Sequence, residues 1–252
     1  MYKRVIQFVV PVISMLLLWE SASYSGLVNA ALFPAPSKVF RALWLMVADG
    51  TLVLDTVISL RRLLAGLVIG VIAGVFVGMT TGRNRIMATI LSPIIQLVRP
   101  LPPVAVIPLI IVWFGIDDGA KIFSIALAIF FPIWINTHIG CENIAQAYIW
   151  NARLLTSSSL KIFTKVIFPA ALPFIVAGIR NAISLAFIMV FVSELAGASS
   201  GLGYRVSILH LAYRIDGMMA ALSILALLGA LADSTFLFTC KRLFPWTNFK
   251  TL

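Results

Sequence analysis

The chain has 252 residues, of which 61% are hydrophobic and 11% charged, and its mean hydropathy is +1.06. Such usage lies far outside that of soluble domains and marks a membrane protein. The net charge of +10 comes without basic residues clustered among aromatics on a soluble face, which excludes a nucleic-acid binder.

Apolar runs occur near 5–22, 62–82, 86–114, 120–140, 170–196 and 217–239, and about 20 helical residues cross the hydrocarbon layer. These runs predict an all-α polytopic fold of about six transmembrane helices, with residues 1–60 as an anchor plus outer segment and 61–252 as the core. The first run, led by Lys3 and Arg4 and followed by Ser21-Ala22-Ser23, also fits a signal peptide; with no clean A-x-A site after it, an uncleaved anchor is favoured. Phe33-Pro34-Ala35-Pro36 then turns the chain. From Ser37, read as an N-cap, Val39, Leu43, Trp44 and Val47 recur at helical spacing, which predicts a helix lying on the outer surface.

The second run carries Gly66, Gly70, Gly74, Gly78 and Gly82 at four-residue intervals, so all five share one helix face. In lipid, such a stripe admits another backbone and replaces the missing hydrophobic drive for association. The third run, 86–114, is too long for one straight span and holds Pro93, Pro100, Pro102, Pro103 and Pro108, which predicts a broken or kinked helix.

Residues 141–169 interrupt the apolar pattern with a polar insertion. Ile144, Tyr148, Ala152 and Leu155 fall on one face of a first short helix; Thr156-Ser157-Ser158-Ser159 ends it and offers a cap to a second, in which Leu160, Phe163 and Ile167 align. Pro169 and Pro173 open the fifth span, where proline is tolerated.

Placing both termini in the cytoplasm gives the inner segments ten basic residues against Glu142 alone, while the outer segments balance at seven and seven. Lys and Arg resist translocation, so this orientation is expected. Cys141 and Cys240 then lie on the reducing side, with no disulfide expected. Arg99, Arg180 and Asp233 fall within apolar runs, where an ionised group costs about 2.5–3.5 kcal/mol or more unless paired or wet. Helical rise puts Arg180 roughly 16 Å above Pro169 and Asp233 roughly 12 Å above Lys241, close enough to pair. Arg99, Arg180, Glu194 and Asp233 are therefore candidates for an intramembrane pair or for lining a pathway.

No Gly-Lys dipeptide exists, so the chain has no phosphate-cradling loop of the G-x-x-x-x-G-K-[ST] type. A serine nucleophile at Ser199 or Ser200 would need His138 or His210 as base within hydrogen-bond reach. His138 falls on the opposite side of the membrane, and His210 lacks an orienting acid. No catalytic, cofactor or metal site is read.

The runs Arg99-Pro-Leu-Pro-Pro-Val-Ala-Val-Ile-Pro-Leu-Ile-Ile-Val-Trp-Phe-Gly115, Phe130-Phe-Pro-Ile-Trp-Ile-Asn136 and Ser193-Glu-Leu-Ala-Gly-Ala-Ser-Ser-Gly-Leu-Gly-Tyr204 resemble the permease subunits of type I ABC importers (MetI-like architecture), in the sulfonate, taurine, nitrate and bicarbonate branch. The resemblance covers nearly the whole chain. It implies a cytoplasmic ABC ATPase dimer, a periplasmic or lipid-anchored solute-binding protein, a second permease chain in a homodimer, a bacterial inner-membrane location and import of a small anionic solute by alternating access. That family's signature, E-A-A-x3-G-x9-I-x-L-P, aligns its end with Val166-Ile167-Phe168-Pro169, its glycine with Thr156 and its E-A-A with Trp150-Asn151-Ala152. Trp150, Asn151, Ala152, Arg153, Thr156, Ser157 and Pro169 are thereby implied as an ATPase-docking segment lacking the glutamate and the glycine. A secondary transporter or membrane scaffold without an ATPase is the alternative; it would more often show internal repeats and midplane carboxylates.

Overall fold

The computed structural model describes residues 2–26 and 28–244, with side chains from Val10 onward; the side chains of Lys3 and Arg4, and all of Lys250, lie outside that set. Among the described residues the secondary structure is helical: α1 Tyr2–Tyr24, α2 Pro36–Ala48, α3 Thr51–Arg83, α4 Arg85–Val98, α5 Pro103–Phe114, α6 Asp118–Glu142, α7 Gln146–Leu155, α8 Ser159–Ile162, α9 Phe168–Gly197, α10 Leu202–Leu211 and α11 Ile215–Leu243. Four continuous helical stretches are long and apolar enough to cross a membrane: α3, α6, the stretch Ser159–Gly197 and α11. A fifth span is available if α4 and α5 act together, which meet at 97°. That bend is the break expected of the proline-rich run, with Pro102 in extended backbone ahead of Pro103 at the start of α5.

α6 lies between α3 and α9 and packs along the length of both. The α3–α6 seam is built on two matching four-residue stripes: Gly66, Gly74 and Gly78 face Ile125, Ile133 and Thr137, so that a Cβ added at those glycines would come within 2.6–2.8 Å of their side chains. Gly70 faces Ile129 and Gly82 faces Cys141 in the same register. At such separations no side chain fits on α3, and backbone-to-side-chain dispersion is what joins the pair. The central core is completed from α9 by Ala182, Ala186, Met189 and Val190.

Two boundaries differ from those expected. α3 starts at Thr51, so the division at residue 60 falls inside a continuous helix; the polar residues Asp55, Ser59 and Arg62 hide that continuation from a hydropathy reading but are buried on its core side. Ser37 is not an N-cap: α2 begins at Pro36 after Ala35. The Ser37 amide and hydroxyl instead donate to the carboxylate of Glu20 at 3.1 and 2.6 Å, which ties α1 to the N-terminal end of α2, where a negative charge is favoured. α2 turns Val39, Ala42 and Met46 inward onto α10 and α11 and leaves Phe40 and Trp44 exposed.

Candidate functional site

The 141–169 insertion is fastened by one apolar face. Ile144, Ile149, Ala152, Ile162 and Ile167 pack with Met79 of α3, Cys141 of α6 and Ala171 and Ile175 of α9. The expected faces need correcting. Tyr148, Leu155 and Leu160 are exposed, Leu155 to 88%, and so are Trp150 and Leu154. The reason for the second shift is a π-helical turn at Phe163–Ile167, which inserts a residue into the helical register and brings Ile162 inward in place of Leu160. The expected second short helix is likewise not separate, because α8, the π-turn and α9 form one stretch from Ser159 to Gly197. Asn151, Arg153 and Ser157 are exposed, and Pro169 lies half-buried in the first turn of α9.

The link between α7 and α8 is held by its own hydroxyls. Thr156 Oγ1 accepts from the Ser158 amide at 3.2 Å, and Ser158 Oγ caps α8 by accepting from the Lys161 amide.

At the other end of the same helices lies a buried polar clasp. Glu194, with a fully buried side chain, accepts from Arg62 Nη1 at 2.7 Å, from Ser59 Oγ at 2.8 Å and from the Gly203 amide at 2.9 Å. Arg62 also donates through Nε to Asp118 at 2.7 Å and through Nη1 to the Ser200 carbonyl at 2.7 Å; Arg61 pairs with Asp118 as well. Asp55 accepts from the Gly201 amide at 2.8 Å and from Arg205 Nε at 2.6 Å, and the Leu202 amide donates to Ser59 Oγ at 2.8 Å. Three carboxylates thus meet three guanidinium groups, and where the chain turns from α9 into α10 the Gly201 and Leu202 amides are satisfied by α3 side chains and the Gly203 amide by Glu194, as burial demands. Gly201 sits at φ +114 against the Glu194 carboxylate, where a Cβ has neither a suitable backbone conformation nor space.

Of the other candidate charges, Arg180 and Asp233 meet: Nε to Oδ1 is 2.9 Å and Nη2 to Oδ2 is 3.1 Å, a bidentate pair about one-third exposed that joins α9 to α11. Arg99 is exposed at the C-terminal end of α4, at the 97° bend, so it does not join that pair. Glu194 belongs to the clasp and is remote in sequence from its partners on α3.

Comparison with known proteins places this architecture. Residues 66–242 match the family model of the binding-protein-dependent transport system inner membrane component. The chain belongs to that family. Among the relatives of this transport component, a protein of Escherichia coli (strain K12) named for aliphatic sulfonates transport, the SsuC permease protein, is 40% identical over 91% of this chain and 87% of its own. The taurine transport system permease protein TauC of the same organism is 31% identical over 92% and 86%. The permease of a methionine ABC transporter solved in an inward-facing conformation superposes with a TM-score of 0.59 at 22% identity, covering 83% of this chain and 96% of that one. An amino acid ABC transporter crystallised with histidines gives 0.61 at 18%, covering 81% and 98%. Both structures share the fold.

In this transport component the position aligned with the family's signature glycine, Thr156, has φ −157 and ψ 140. Extended backbone of that kind suits a β-branched residue, so the turn loses nothing by lacking glycine. The aligned glutamate position, Trp150, is an exposed aromatic beside Leu154. The clasp as a whole is not legible in the sequence: Glu194 stands among the candidates for an intramembrane pair, while its neighbours Asp55, Arg62 and Arg205 enter only the count of charges by side. Its signal was present all the same: Asp55, Ser59 and Arg62 continue toward the N-terminus the very helix face that carries Gly66 to Gly82.

Proposed function

We propose that this permease is the membrane-spanning subunit of an ATP-driven importer for a small oxyanion of the sulfonate or taurine class, with both termini in the cytoplasm and residues 146–162 seated on a separate ATPase. The observation that carries it is the two-sided build of α7. Ile149 and Ala152 anchor the helix to the permease core, while Tyr148, Trp150, Leu154 and Leu155 stand exposed on its other sides. An exposed apolar cluster of this size on a polar loop marks a partner-binding face. With Trp150 where the family signature has glutamate, the ATPase groove is expected to offer apolar and aromatic contact in place of an ion pair. The relatives named for sulfonates and taurine support the solute class.

In this reading two copies of the permease enclose the pathway, two ATPase subunits bind beneath, and a binding protein delivers solute to the outer face. ATP-driven approach of the ATPases shifts α7. The continuous stretch from Ser159 to Gly197 carries that displacement to Glu194 and the outer clasp, about 52 Å away at 1.5 Å per residue. The π-turn at 163–167 is where the strut can bend. The clasp is the two-state element: made, it closes the outer side; broken, it admits solute.

The test is copurification. Tagged permease is expected to retain an ATPase, and Trp150→Arg with Leu154→Arg to lose it while the permease itself remains folded. Undiminished ATPase retention by that double variant would refute the docking face.

A further inference from the structure

A second polar feature lies at the inner end of the membrane-spanning helices. A cavity of about 640 Å³ between the ends of α3 and α6 and the first turns of α4 is lined by Thr81, Arg83, Arg85, Thr89, Ser92 and His138, with Glu142 at one side. That volume falls in the range of small-ligand sites.

Its chemistry is one-sided. The guanidinium groups of Arg61, Arg62, Arg180 and Arg205 are all matched by carboxylates; among the described residues Arg83 and Arg85 have no such partner. The one carboxylate on the cavity, Glu142, is 69% exposed and faces His138 Nε2 at 3.6 Å. His138 Nδ1 is held 3.0 Å from Thr81 Oγ1, whose own hydrogen goes to the Val77 carbonyl at 2.8 Å. Two guanidinium groups without carboxylate partners match a tetrahedral oxyanion, which accepts several convergent hydrogen bonds.

The position suits solute release. Arg83 lies about 31 Å below Arg62 along α3 at 1.5 Å per residue, one hydrocarbon thickness from the outer clasp. The α4 wall of the cavity contains no residue buried within the chain.

We propose that this cavity is an inner-side binding site for a tetrahedral oxyanion, held by Arg83 and Arg85. Two sources share that chemistry, the transported solute on its way out and an anionic lipid headgroup of the inner leaflet. For the solute as source, the inference rests on the importer reading above.

The full chain in phosphatidylcholine nanodiscs is titrated calorimetrically with methanesulfonate and with inorganic sulfate, and chloride sets equal ionic strength. Binding is expected to weaken at least about tenfold in R83Q/R85Q, which removes both charge-assisted contacts. Arg41→Gln, which removes a positive charge from the outer side, should leave it unchanged. Displacement of methanesulfonate by added phosphatidylglycerol would support the site and assign the headgroup as its occupant. Equal affinity in wild type and R83Q/R85Q, or no binding of any of these probes by wild type, would overturn it. Proteoliposome uptake of labelled methanesulfonate is read separately: uptake with unaltered binding in R83Q/R85Q sinks the site and spares the importer. Binding that depends on the arginines without sulfonate uptake does the reverse.

Discussion

The two ends of this permease are held by opposite kinds of chemistry. At one end, Glu194, Arg62 and Asp55 are withdrawn from solvent with Arg205 half-buried beside them, satisfied by one another and by the amides of Gly201 and Gly203. At the opposite end, α7 is anchored by few residues and leaves Trp150, Leu154 and Leu155 in the open. A buried ionic clasp contributes little net stability yet is costly to break by halves, which suits a gate with two defined positions. An exposed apolar face contributes nothing until a partner covers it.

The contrast can be broken from either end. The largest effect is expected from Arg62→Met, which leaves Glu194 buried without its guanidinium, a loss of about 3–5 kcal/mol visible as a lowered Tm of the purified permease. An unchanged Tm would mean that the clasp is not made. Next comes Gly201→Ala, where positive φ and the Glu194 carboxylate oppose a Cβ; about 1–3 kcal/mol of strain should appear in chemical denaturation, together with faster labelling of a cysteine placed at Ser200. Breaking the bidentate pair by Asp233→Ala should cost about 1 kcal/mol. The exchanged pair, Arg180→Asp with Asp233→Arg, should recover stability and uptake together, and recovered stability without uptake would move Arg180 into the pathway. The smallest change in stability, within about 0.5 kcal/mol, belongs to Trp150→Ala and Leu154→Ala, which should nevertheless lower ATPase-coupled uptake. Ala152 is a poor place for this last test, because it faces the permease core and a large residue there would unseat α7.

What could be read in the chain follows the same division. The glycine stripe was legible because five residues at one spacing can share a helix face in only one way; that its counterpart is Ile125, Ile129, Ile133, Thr137 and Cys141 required three dimensions. The break in the third run was legible from its prolines. The faces of the 141–169 insertion were misjudged for two physical reasons. Apolar periodicity does not separate residues packed in the same chain from residues kept for a partner, which is why Tyr148 and Leu155 are grouped on one face with Ile144 and Ala152, of which only the latter two are buried. A π-turn, moreover, shifts register without any sequence punctuation, which moved Leu160 out and Ile162 in. The clasp was obscured because Asp55, Ser59 and Arg62 look like a solvated loop ahead of a span when they are in fact in the N-terminal turns of α3.

The central claim is that the exposed α7–α8 face lies in the cytoplasm and the clasp on the far side. Membrane-impermeant maleimide applied to intact cells and to inverted vesicles carrying Ser158→Cys or Arg214→Cys tests it, since the native Cys141 and Cys240 are buried. The account predicts labelling of Ser158→Cys in inverted vesicles alone and of Arg214→Cys from the outside alone. Labelling of Ser158→Cys in intact cells would contradict it.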